Sequence, residues 1–155
     1  MKKILTVCLL VVIAGLVIYQ LLHKNIADDN RELLKEEILN LKETEPVKLS
    51  DITPFEWDYV YSFTPYVSKD VVYETVGYKW DAIQETTSEG MNQLVFMKDD
   101  QVVCYVYGHV YSNGFAINMV QPEREATYTK LYAKDDVLFT REVSEDGVIL
   151  TQVNE

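Results

Sequence analysis

Phe55-Glu56-Trp57-Asp58-Tyr59-Val60-Tyr61-Ser62-Phe63 carries an aromatic ring at every second position. Successive side chains of a strand point to opposite faces. The alternation therefore predicts one strand over 55–63, with Phe55, Trp57, Tyr59, Tyr61 and Phe63 on a single aromatic face.

Thr64-Pro65-Tyr66 breaks the alternation. Ser68 is placed to cap a short helix that runs through Val71, Val72, Tyr73 and Val76 to Gly77. Its β-branched residues are poor helix formers, so this helix needs a sheet to pack on, and Trp80 stands where it can close over the end. From Met91 onward period two returns in segments 91–98, 101–111, 115–120, 126–133, 137–143 and 147–153. The turns between them hold Asp99-Asp100, Ser112-Asn113-Gly114, Pro122, Asp135-Asp136 and Ser144 to Gly147. Short connections predict antiparallel neighbours. The expected class is α+β, with one short helix packed on an antiparallel meander sheet, part of one sheet face being left open to a partner.

Upstream, residues 26–45 have a charged helical pattern with Leu34, Ile38 and Leu41 on one stripe. Asp28 and Asp29 favour the first turn and Pro46 ends the helix. It reads as a stalk whose stripe packs on the following domain, or pairs with a second copy as a coiled coil of only two heptads. Before it, Ile4 to Leu22 has no charge and no proline. As a helix it would be about 28 Å long, close to a bilayer's hydrocarbon core. Ala14 with Val12 makes a poor cleavage site, and Cys8 follows too short an apolar run for a lipid-anchor signal. The segment is expected to be an uncleaved anchor. Lys2 and Lys3 favour a cytoplasmic N-terminus. The expected organisation is a cytoplasmic tip (1–3), a transmembrane signal anchor (4–22), a helical stalk (23–46) and an extracytoplasmic domain (47–155).

Beyond His23, 12 Lys and Arg face 25 Asp and Glu, a net charge of −13. That argues against a nucleic-acid or anionic-lipid surface as partner for this domain, and suits solubility or a cationic partner. Cys8 lies in the anchor and Cys104 in an apolar strand, so no intrachain disulfide is expected.

Catalytic chemistry is thinly represented. His109 and Cys104 are five apart and so fall on opposite faces of one strand. Asp99-Asp100 and Asp135-Asp136 lack calcium-loop spacing. Glu56 and Asp58 share a strand face, an arrangement most acidic strands offer. No catalytic, metal or cofactor site is therefore expected. The aromatic density of residues 55–80 is the unusual signal. The alternating five read as core, while Tyr66, Tyr78 and an outward row of Tyr105, Tyr107 and Tyr111 are the candidate partner-binding residues.

Trp57-Asp58-Tyr59-Val60-Tyr61, Pro65-Tyr66, a Ser68-capped helix, Gly77 and Trp80 together resemble small uncharacterised exported proteins of low-GC Gram-positive bacteria, anchored by a lipid or one helix. The resemblance covers about residues 55–80, and the lipid-anchored members' cysteine is missing. It implies an address and a fold without a reaction. The expected function is a non-catalytic, membrane-anchored protein-binding module, immunity- or inhibitor-like or a subunit of an envelope complex, with the oligomeric state left open. The alternative is a small cell-envelope enzyme or ligand-binding domain acting on cell-wall material, which requires Glu56, Asp58 or His109 to converge in a pocket.

Overall fold

The computed structural model describes residues 25–42, 45–121 and 125–154. The anchor segment Ile4 to Leu22 lies outside them, and no helix among the described residues is long and apolar enough to cross a membrane. The class is α+β. The elements in chain order are α1 (Ile26–Asn40), β1 (Val47–Lys48), α2 (Leu49–Ile52), β2 (Tyr59–Phe63), α3 (Lys69–Val76), β3 (Asn92–Lys98), β4 (Gln101–Gly108), α4 (Val110–Asn113), β5 (Phe115–Asn118), β6 (Tyr128–Tyr132), β7 (Leu138–Ser144) and β8 (Gly147–Gln152).

The strands form two sheets, where the sequence predicted one meander. An antiparallel sheet has the order β4-β3-β2-β6, and a mixed sheet the order β1-β7-β8-β5, in which β5 runs parallel to β8. Two of the expected hairpins are present, β3/β4 and β7/β8. In the first, Asp99 and Asp100 both take positive φ, 48° and 58°, as a two-residue hairpin turn of primed type requires. Asn113-Gly114, expected to make another, instead ends α4: Gly114 adopts φ +80° and its N–H bonds the Val110 carbonyl at 2.7 Å. That helical turn carries the chain out of one sheet into the other, and Asp135-Asp136 likewise joins strands of different sheets.

The aromatic row divides as well. Tyr59, Tyr61 and Phe63 lie on the α3 side of the antiparallel sheet, in a core with Val72, Val76, Ile83 and Met97. Phe55 and Trp57 precede the strand and pack edge-on to Phe96, at 5.6 and 5.4 Å, in the core between the sheets. The change of side occurs at Asp58, which stands in a bend and is tied by Lys98 Nζ at 2.8 Å and the Asp99 N–H at 2.9 Å. A second irregularity lies in β4. Between the pairs Phe96↔Cys104 and Met97↔Val102 one residue, Val103, is extra, so Cys104 faces the inter-sheet core while Val102 faces α3.

Helix α1 packs on the domain, the first of the two destinations open to its stripe. Leu34 and Ile38 are fully buried in the inter-sheet core and Ala27 in the α3-side core. The helix thus runs along edge strand β4, where Asn30 Nδ2 donates to the bulge carbonyl of Val103 at 2.8 Å. Covering an edge and satisfying its loose carbonyl removes a site of unwanted strand pairing. Helix α3 matches its expected span. Ser68 is its N-cap without bonding through its side chain; instead the Glu85 carboxylate accepts from the Lys69 N–H at 3.2 Å. The antiparallel sheet is therefore covered on both faces, by the mixed sheet on one and by α3 and residues 77–90 on the other, except at its β6 end.

Candidate functional site

The five tyrosines named from the sequence separate into core and surface. Tyr105 is 6 % exposed and belongs to the core: its hydroxyl accepts from the Gln84 N–H and from Gln93 Nε2, both at 3.1 Å, and Trp80 packs edge-on to its ring at 5.3 Å. It offers no free surface, because the partner face expected there is covered by residues 80–86. Burial, only partly offset by those two donors, raises its phenol above the ordinary value. Tyr107 stacks on Tyr105 and donates to the Glu85 carbonyl at 2.8 Å. Tyr78 is half-buried, its hydroxyl accepting from the Val102 N–H at 2.9 Å. Tyr111 is exposed but lies on α4 instead of β4, stacked on His109 at 5.0 Å. Tyr66 is the most isolated ring, 61 % exposed, on a left-handed backbone (φ +67°).

The groups required for the envelope-enzyme alternative do not meet. Asp58 sits beside the Met97 end of β3, while His109 follows Gly108, which pairs with Asn92 at the other end of that strand. The seven residues of β3 separate them by about 20 Å. Glu56 is exposed, Asp58 is held by Lys98, and His109 Nε2 shares a hydrogen with Ser88 Oγ at 3.0 Å. Cys104 is fully buried on the other side of the strand from Tyr105 and Tyr107, and burial pushes its thiol far above the ordinary range. Among the described residues, no three His, Cys, Asp or Glu groups lie together as a metal site.

A different surface is assembled at β6. Tyr128, Lys130 and Tyr132 alternate along this edge strand, opposite Phe63, Tyr61 and Tyr59 of β2. Tyr128 and Tyr132 are 38 % and 42 % exposed. The Lys130 ammonium sits 3.8 Å from the Tyr59 ring centroid, 4.8 Å from that of Tyr132 and 5.2 Å from that of Tyr61. Tyr59 donates to Asp100 at 2.8 Å; burial first, then this bond, keeps its phenol protonated well beyond the ordinary range.

The backbone at this edge has an equally specific arrangement. Ala133 donates to Asp58 and Thr64 to Thr127, which fixes the alternation of bonded pairs between β2 and β6. Thr129 and Leu131 thus face β2, while Tyr128, Lys130 and Tyr132 direct their N–H and C=O groups outward. Tyr132's pair is closed by Asp135, through side chain and N–H at 2.9 and 3.0 Å. Those of Tyr128 and Lys130 have no backbone partner among the described residues. The sequence carries one signal for this surface, the period-two run Tyr128-Thr129-Lys130-Leu131-Tyr132, but not that its strand is an edge. Comparison of the chain with protein families, with curated proteins and with solved structures found no match.

Proposed function

We propose that the chain is a non-catalytic protein-binding module, held outside a membrane by Ile4 to Leu22, and either immunity- or inhibitor-like or a subunit of an envelope complex. The observation that carries this reading is the β6 edge: a strand with two backbone positions that have no partner among the described residues, flanked by Tyr128 and Tyr132 with Lys130 fixed among their rings. An extended segment of a partner adds to such an edge through main-chain hydrogen bonds, while the side chains select it. Tyrosines supply contact area at low entropic cost, and prior fixing of the lysine lowers the cost of ordering it on binding. The net charge of −13 beyond His23 favours a cationic partner.

The test uses the full-length tagged chain, solubilised in detergent from its native envelope. Wild type should retain one stoichiometric protein partner. Lys130→Pro removes an outward N–H without touching the ladder to β2, and Lys130→Met keeps that N–H while removing the charge. Loss of capture in Lys130→Pro and in Tyr128→Ser/Tyr132→Ser, with retention in Lys130→Met, supports strand addition. No partner under several salt conditions, or capture indifferent to all these changes, overturns the reading.

A further inference from the structure

We infer that the cleft between β5 and the Phe63 end of β2 binds an uncharged N-acetylated saccharide. The cleft has a volume of about 310 Å³, at the small end of ligand sites. Among the described residues its walls are Ser62 to Pro65, Gly90 to Asn92, Ile117 to Met119, and Gln121, and none of these is charged, in a chain in which 25 % of residues are. The concavities beside Leu138 differ in this respect, one carrying Asp136 and another Lys48 and Asp51. A charged ligand would leave water without meeting a countercharge on these described walls, which therefore suit a neutral one.

Thr64 Oγ1 is committed to the Thr127 carbonyl at 3.2 Å, but other polar groups in the cleft are available for binding. Ser62, only 8 % exposed, shares the inter-sheet side of β2 with Val60, and its hydroxyl has no partner among the described residues. Asn92 Oδ1 accepts from the Ile117 N–H at 2.7 Å, while its Nδ2 reaches Asn118 Oδ1 at 3.5 Å, a contact long enough to yield to a ligand. The remaining groups of Asn118 and the whole of the Gln121 carboxamide have no partner among the described residues. One hydroxyl and three carboxamides offer donors and acceptors in mixture, complementary to ring hydroxyls and an acetamido group. Met91, Met119 and Pro65 supply apolar surface for ring carbons and a methyl.

One further observation argues against an added peptide strand at this cleft. Ile117 N–H points away from β8 and is already taken by Asn92, which blunts the β5 edge. The inference does not rest on the β6 edge.

Titration of the full chain, in a zwitterionic detergent free of sugar, with uncharged N-acetylglucosamine oligomers should give saturable binding. Amide resonances of residues 62–64, 92 and 117–119 should shift. Ser62→Ala and Asn118→Asp should each weaken affinity by about tenfold, as loss of a hydrogen bond or intrusion of an unpaired charge implies. Lys130→Pro should leave it unchanged. No saturation at millimolar ligand, indifference to the cleft substitutions, or tighter binding of an uncharged acetylated peptide at the same residues would overturn the assignment.

Discussion

At the scale of single residues, two glycines with positive φ do different work. A Cβ on Gly147 (φ +144°) would lie 2.1 Å from the Gly114 carbonyl oxygen, the atom that accepts the Val148 N–H at 3.0 Å where β5 and β8 begin to pair. Gly147→Ala should therefore cost about 3 kcal/mol in chemical unfolding, through clash and strain together. Around Gly77 (φ +97°) nothing lies within 4 Å, and Gly77→Ala should cost only about 1 kcal/mol, the conformational term alone. Asp58 gives a pH dependence. The Lys98 side chain and then the Asp99 N–H hold its carboxyl below the ordinary value of 3.8. A carboxylate depressed in the folded state stabilises above its unfolded pKa, and that contribution is lost as pH falls through the folded one. Wild type should accordingly lose more stability than Asp58→Asn between neutral pH and about pH 3, measured as denaturation midpoints. Equal losses would refute the role.

At the scale of elements, α1 joins the two cores. Leu34→Ala should destabilise the chain by about 3 kcal/mol, the usual cost of emptying a filled core position, whereas a stripe reserved for a second copy would leave the monomer's stability unchanged. How legible each element was depended on the regularity of its backbone. Helix α3, the Asp99-Asp100 hairpin and the partial strand at 59–63 follow from period, cap and turn chemistry within a few residues. Phe55 and Trp57 escaped because a bend at Asp58 moves them to the opposite core, and Val102 because the extra residue Val103 reverses alternation within β4. Alternation assigns a side only while the ladder is unbroken. Of the candidate tyrosines, Tyr66 and Tyr111 are exposed, but Tyr105 is not: its covering segment, residues 80–86, has no period to announce itself.

At the scale of the whole molecule, burial is graded across the antiparallel sheet. Strand β3 is buried on both faces from Gln93 to Met97, whereas β6 is an edge with outward-facing amides. Native-state hydrogen exchange should be slowest at Leu94 to Met97 and fast at Tyr128 and Lys130; comparable protection at both would mean that the β6 edge is covered. Cys104, between the sheets, should resist thiol reagents until global unfolding. The sequence by itself determined the α+β class, the positions of most strands and of the two longer helices α1 and α3, and the acidic charge, because these depend on side-chain period, turn chemistry and counting within a short window. Only the tertiary structure decided that the strands divide into two sheets, that β5 runs beside β8, that α1 seals the β4 edge, and which tyrosines, hydroxyls and amides remain uncovered. Those outcomes are set by contacts between segments distant in the chain, where the fit of whole faces, and not the preference of any one segment, selects the partner.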